Sequence, residues 1–335
     1  MKLNRVAAGI DDNYLIPFLV FLYSAWKTSS QSFEVVVGFD SLTLSQRSRE
    51  QIKQFSDTIG ISVEFIEVSF PAETLAVGHI SLASYTRLVL ADILDETFVW
   101  LDSDIICEVG WEELLSMKTD SGVIVSAAYD PAGNIDWQKS ENFAVRDARG
   151  QYFNTGVMVV DGKGWTRLGF PTKWKKLIPK YLEYNFQWAD QCVINYLAMR
   201  NFSPLHQKFN YQEQARDLQL AGATFIRHFN GPTKPWNYKH AGFMLWFGPF
   251  SQASVQKYLE VQSECQLHIR KNMEEHKDLL GMFNAENRYL SVGTHLQLAI
   301  SRLLTLSLRF AIFRFSHSIF RRIFPGGINS FRRNS

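Results

Sequence analysis

The sequence predicts an α/β protein built on a mixed, mainly parallel sheet flanked by helices. Two observations carry that expectation. Short runs rich in Val, Ile and Phe alternate along the first hundred residues with longer segments of helical character, and alternation at this spacing implies crossover connections between parallel strands. Carboxylates follow directly on two of those runs, at Asp11-Asp12 and at Asp102-Ser103-Asp104, and in open α/β sheets ligands sit at the carboxyl ends of strands. Size permits the architecture, since 335 residues with 46% apolar and 20% charged side chains suit a folded chain with a large core.

Each element has a local reason. Val6 to Ile10 reads as the first strand, Asp11-Asp12-Asn13 as a turn and Tyr14 to Trp26 as a helix. Phe33 to Val37 reads as a strand, Leu42 to Thr58 as a helix, and Ile61 to Val68 as a third, partly alternating strand. Ser81 to Leu94 fits a helix, and Phe98 to Leu101 is an apolar run of buried-strand character. Further on, Gly122 to Ala128 and Gly156 to Val160 read as strands, and Trp165 to Tyr181 and Ala189 to Met199 as helices. Thr224 to His228 reads as a short strand running into the turn-rich loop Asn230 to Pro235.

Neither repeats nor low-complexity linkers interrupt the chain before about residue 250. Residues 1–250 are therefore expected to form one catalytic body, 251–286 a helical extension and 287–335 a distinct tail. The formal charge of +2 gives no nucleic-acid signature. Cys107, Cys192 and Cys265 lie far apart, which speaks for free buried thiols in a reducing compartment rather than a disulfide framework. Asp11 and Asp12 interrupt what would otherwise resemble a secretory leader, so the start reads as mature protein. The tail carries Arg302, Arg309, Arg314, Arg321 and Arg322 among Leu and Phe residues, with no acidic residue. A partly amphipathic basic helix of this kind suits the interface of an anionic membrane, and a helix docked on the body with Arg facing water is its alternative.

The chemistry starts at Asp102 and Asp104. Paired carboxylates after a buried strand suit a hard divalent cation that also meets substrate phosphates, although they can equally cap the next segment. His228 likewise ends an apolar run, and imidazole is a competent Mn²⁺ ligand. Lys234, six residues on in a Gly/Pro-rich loop, can set an ammonium against a phosphate.

Taken together these stretches resemble the family 8 glycosyltransferases, retaining enzymes of the GT-A (Rossmann-like) fold that use a nucleotide-sugar donor and Mn²⁺. The resemblance rests on Ala8 to Tyr14, Ser84 to Leu88, Leu101 to Asp104, Tyr152 to Val157, Asp190-Gln191 and His228 to Trp236, in the family's order, and covers about residues 5–240. It implies Mn²⁺, with Mg²⁺ as the alternative, held by Asp102, Asp104 and His228. It implies a UDP-hexose donor whose uridine meets Asp11, Asn13, Tyr14 and Ser103 and whose phosphates meet Gly231 and Lys234. Arg87, Asp130, Asn154, Thr155, Asp190 and Gln191 would surround the transferred galactose or glucose, with Asp190 or Gln191 as nucleophile if transfer takes two steps. The acceptor would be a saccharide, lipopolysaccharide or another lipid-linked glycan, met at the cytoplasmic face of the membrane. A nucleotide-sugar-binding protein without turnover is one rival. A phosphatase using Asp102 and Asp104 is another, and it leaves His228 to Trp236 unexplained.

Overall fold

The computed structural model describes residues 4–74, 81–130, 152–180, 186, 188–198, 200–212, 223–231, 234–236, 252–273 and 279–283. The expected basic tail, 287–335, lies outside these residues. So does most of the turn-rich loop's continuation.

Among the described residues the main sheet has seven strands in the order β3-β2-β1-β4-β7-β6-β8. They are β1 (Asn4–Gly9), β2 (Phe33–Phe39), β3 (Ser62–Glu67), β4 (Thr97–Leu101), β6 (Val125–Tyr129), β7 (Phe153–Asp161) and β8 (Phe202–Pro204). β5 (Ile105–Cys107), β9 (Tyr211–Gln212) and β10 (Ile226–His228) form a small second sheet in the order β5-β10-β9. Neighbours among β3, β2, β1 and β4 pair parallel. β7 runs antiparallel to both β4 and β6, so the sheet is mixed but mainly parallel, as expected.

Successive residues of the central strands feed opposite faces, as the two-residue period of a strand requires. Val6, Ala8, Val35, Val37, Val99, Leu101, Val157 and Val159 pack in one apolar cluster. Their alternates Ala7, Val36, Phe98, Trp100, Met158 and Val160 pack in the other. The first cluster is covered by α1 (Leu15–Thr28), α2 (Gln46–Thr58) and α7 (Gln252–Asn272), the second by α3 (Thr86–Ile93), α4 (Gly162–Arg167), α5 (Phe170–Leu177) and α6 (Ala189–Ala198). Burial of each large apolar side chain contributes about 1.5–3 kcal/mol, which is why both faces read as nearly continuous apolar runs. On α7, Tyr258, Val261, Cys265 and Ile269 form a buried stripe at helical spacing. Its polar edge meets α1 through Lys27 and Glu264 at 2.6 Å.

Two expected helices are shorter than their patterns. α2 begins only at Gln46, because Ser45 is its cap and accepts from the Ser48 N–H. The helix expected over Trp165 to Tyr181 is two helices, because Gly169 sits between them with φ +69°, a left-handed conformation that glycine adopts without cost. All three cysteines are buried free thiols. Burial pushes the Cys192 thiol up to about 12, which leaves it inert as a nucleophile. Among the described residues no helix is long and apolar enough to cross a membrane.

Candidate functional site

Strand register gathers the site. β4 ends at Leu101, and the Asp102 N–H continues its ladder by donating to the Gly156 carbonyl of β7 at 2.8 Å. β5 begins directly after Asp104 and pairs antiparallel with β10, so that His228 stands opposite Ile105. The Phe229 N–H then donates to the Asp104 carbonyl at 2.9 Å. Three side chains far apart in sequence are thus set around one point, with donor atoms of Asp102, Asp104 and His228 all within 4.8 Å of one another.

His228 Nε2 lies 3.3 Å from Asp104 Oδ1 and 3.8 Å from Asp102 Oδ2. Asp104 Oδ1 is buried and, among the described residues, has no hydrogen-bond partner. An orphaned buried carboxylate oxygen facing an imidazole nitrogen is costly unless a cation meets both, and two carboxylates with one imidazole suit a hard or borderline divalent ion. The donor set therefore fits such an ion. Gly156 makes room for the His228 ring, because a Cβ there would lie 2.2 Å from His228 Cε1.

The other carboxylate atoms are engaged. Lys234 Nζ donates to Asp104 Oδ2 and, at 2.7 Å, to the Phe229 carbonyl. Burial alone would raise the Asp104 pKa, but the Lys234 ammonium and the His228 ring outweigh it and hold the carboxyl well below the usual carboxylate range. Burial would likewise lower the Lys234 pKa, yet Asp104 holds it above its ordinary value, so the ammonium persists. Asp102 Oδ1 accepts from Arg87 and from the Trp100 indole N–H, at 2.9 and 2.8 Å. Arg87 also donates to the Thr155 carbonyl and hydroxyl at 2.6 Å and pairs with Asp190 at 2.9 Å. Burial raises the Asp190 pKa, and Arg87 opposes it.

Beyond Arg87 the contacts continue through amides. Gln191 accepts from the Thr155 N–H at 3.1 Å and donates to Asp130 at 3.0 Å and to the Tyr152 hydroxyl at 3.2 Å. Asn154 donates to the same Asp130 oxygen at 3.2 Å. Ala189, just before Asp190, is held at φ +47° inside the core. Strain of that kind at the base of a cavity fixes where α6 starts and hence where Asp190 points.

These groups line one cavity of about 470 Å³. Asp11, Tyr14, Ser103, Gly231 and Lys234 line it together with Asp102, Asp104, His228, Arg87, Asp130, Asn154, Asp190 and Gln191. Asn13 does not, and its backbone N–H instead donates to Asp11 Oδ1 at 3.0 Å. At the Tyr14 end Lys234 Nζ lies 5.9 Å from the Tyr14 ring centre, and Trp236 meets that ring edge-on at 5.9 Å. Burial raises the Tyr14 pKa, so the ring is a neutral phenol there. Sequence reasoning assigned no role to Tyr152, Trp188 or Asn210. Trp188 lines the cavity, and Asn210 is wholly buried with its Oδ1 2.9 Å from His228 Nδ1. Neither follows a long apolar run, so position gave no signal.

The family model for glycosyl transferase family 8 matches residues 5–240, more than half of the chain. The chain belongs to glycosyl transferase family 8. Relatives of this family 8 protein include a lipopolysaccharide 1,2-glucosyltransferase of Escherichia coli, 22% identical over 312 residues, 84% of this chain and 89% of the relative. A lipopolysaccharide 1,3-galactosyltransferase of Salmonella typhimurium is 26% identical over 251 residues, 70% of this chain and 73% of the relative. Among solved structures, the galactosyltransferase LgtC in complex with donor and acceptor sugar analogues superimposes with a TM-score of 0.60 at 20% identity, covering 78% of this chain and 95% of that one. The fold of the family 8 chain is accordingly GT-A, with helices on both faces of a mainly parallel sheet.

Proposed function

We propose that this family 8 glycosyltransferase moves a galactosyl or glucosyl residue from UDP to a saccharide acceptor, with retention of anomeric configuration. One observation carries the reading: the order of contacts within a single cavity. It runs from Tyr14 through Lys234 and Asp104 to the Asp102-His228 pair, and on through Arg87 to Asp190, Gln191 and Asp130. A base, a diphosphate with its cation, and a sugar fall in the same order along a nucleotide sugar. The galactosyl- and glucosyltransferase activities of the relatives support the choice of hexose.

Asp102, Asp104 and His228 would hold Mn²⁺, with Mg²⁺ as the alternative. The ion when bound would neutralise charge on the departing UDP. Lys234 sets a second positive charge beside it in a buried site, where such charge is worth more than in water. Gly231 leaves its backbone open to the phosphates, while Asp11 and Ser103 serve uridine and Tyr14 offers its ring. Arg87 already pairs with Asp190, so that carboxylate is a hydroxyl acceptor rather than a free nucleophile. Gln191 is likewise committed to Thr155, Asp130 and Tyr152. These engagements favour a single displacement on one face: the acceptor oxygen bonds to the anomeric carbon, the bond to UDP breaks, and the acceptor proton goes to a phosphate oxygen of UDP.

The acceptor is lipopolysaccharide or another lipid-linked glycan. Residues 1–250 form the catalytic body, 251–286 its helical extension, and the basic tail 287–335 holds the enzyme to the cytoplasmic face of an anionic membrane, raising its concentration beside such an acceptor. The test is a panel of UDP-sugars with Mn²⁺, read as UDP release. UDP-galactose or UDP-glucose should be consumed, and no release from any donor contradicts the reading.

A further inference from the structure

The buried amides beside the cation site form a directional chain, and one backbone group fixes every atom in it. The Gly156 N–H donates to Asn154 Oδ1 at 2.9 Å. A backbone N–H is only a donor, so the Asn154 side-chain atom facing it is the oxygen, and its amino group faces Asp130 Oδ2. That same Oδ1 is the atom Asn210 meets at 2.9 Å, so Asn210 presents its amino group there. Asn210 therefore turns its own oxygen to His228 Nδ1, also at 2.9 Å. An amide oxygen only accepts, so Nδ1 carries a proton, which leaves Nε2, facing Asp102 and Asp104, as the nitrogen that can give a lone pair to a cation.

We propose that Asn210 is a positioning residue. Through Asn154 it makes the Gly156 backbone dictate the His228 tautomer, so that Nε2 is the ligand atom. The proposal rests on the cation site advanced above. Asn210 is fully buried and Asn154 and His228 nearly so, which keeps water from substituting for either amide. Partners that hold the second nitrogen of a ligating imidazole typically govern metal affinity by 10- to 100-fold. The chain also ends on Asp130, so the ring that binds the cation and a carboxylate lining the sugar end of the cavity are set by one hydrogen-bonded unit.

The test uses the full-length protein and Mn²⁺ alone, with free Mn²⁺ read by electron paramagnetic resonance. Asn210→Ala should weaken Mn²⁺ binding by about 10- to 100-fold. Asn210→Asp keeps an acceptor for Nδ1 but turns a carboxylate oxygen toward the acceptor Asn154 Oδ1, and should weaken Mn²⁺ binding less than the alanine variant does. Folded Asn210→Ala that binds Mn²⁺ normally overturns the proposal, as does Asn210→Asp failing as badly as the alanine variant. Should the variants not fold, nitrogen-proton correlations of the His228 ring in the unaltered protein loaded with Zn²⁺, a diamagnetic probe, answer the same question. Protonated Nδ1 with ligated Nε2 supports it, and the reverse overturns it. Absence of Mn²⁺ binding by the unaltered protein instead removes the cation site itself, a distinguishable result.

Discussion

Replacing Gly156 with Ala should disable the cation site while leaving the fold standing. A Cβ at this position lies 2.2 Å from Cε1, 2.8 Å from Nδ1 and 2.9 Å from Nε2 of His228, whereas ordinary contact begins at 3.4 Å. The ring would have to retreat by about 1.2 Å to restore ordinary contact. It has nowhere to go, because His228 is 2% exposed and its Nδ1 is held by Asn210. Overpacking of this kind costs about 1–3 kcal/mol of stability, and misplacing a reacting constellation by about 1 Å costs on the order of 100-fold in rate. The assay is UDP release at saturating donor beside a thermal melt. Gly281→Ala is the control, since no atom of the described residues lies within 4 Å of a Cβ at that helical position, and alanine there should stabilise by about 0.5–1 kcal/mol. Gly156→Ala with unchanged activity would mean that His228 is not fixed where the chemistry occurs.

Other perturbations give separate outcomes. Lys234→Met removes the partner of buried Asp104 and should destabilise the metal-free protein by about 3–5 kcal/mol. Mn²⁺ should restore much of that loss in a thermal melt, because it resupplies positive charge to the same carboxylate. Chelation by EDTA should abolish UDP release, and added Mn²⁺ should return it. Burial lowers the His268 pKa, where the ring packs against Tyr23, Trp26 and Phe55 and meets the Thr58 hydroxyl at 2.9 Å. The folded chain then binds fewer protons than the unfolded one as pH falls through about 6.5, so stability is full above that value and declines below it. His268→Asn should flatten this part of a Tm-against-pH profile. Finally, full-length protein should pellet with anionic liposomes and a chain ending at residue 286 should not.

Much of this arrangement was written locally. Asp11, Asp102 and His228 each follow an apolar run, so their placement at strand ends was readable from pattern alone. The reversal of β7 was not, since a strand buried on both faces reads the same in either direction. β5, β8 and β9 are three residues or fewer, too short for a period to show. Asn210 left no trace because its role depends on β9 and β10 lying side by side, which only tertiary structure decides. Gly169 was visible as a residue but not as a break, because the apolar periodicity resumes on its far side with Trp174 and Leu177. The strained Ala189 carries no compositional mark, since alanine, unlike Gly or Asn, is not a residue that signals positive φ.

The central claim is that Asp102, Asp104 and His228 hold the ion that meets the diphosphate of the donor. Anomalous diffraction from crystals grown with Mn²⁺ and UDP tests it most directly. The account predicts one manganese peak bounded by both carboxylates, His228 Nε2 and phosphate oxygens of UDP, with Lys234 beside it. UDP bound in the cavity with no manganese at these three residues, or manganese held elsewhere, would contradict it.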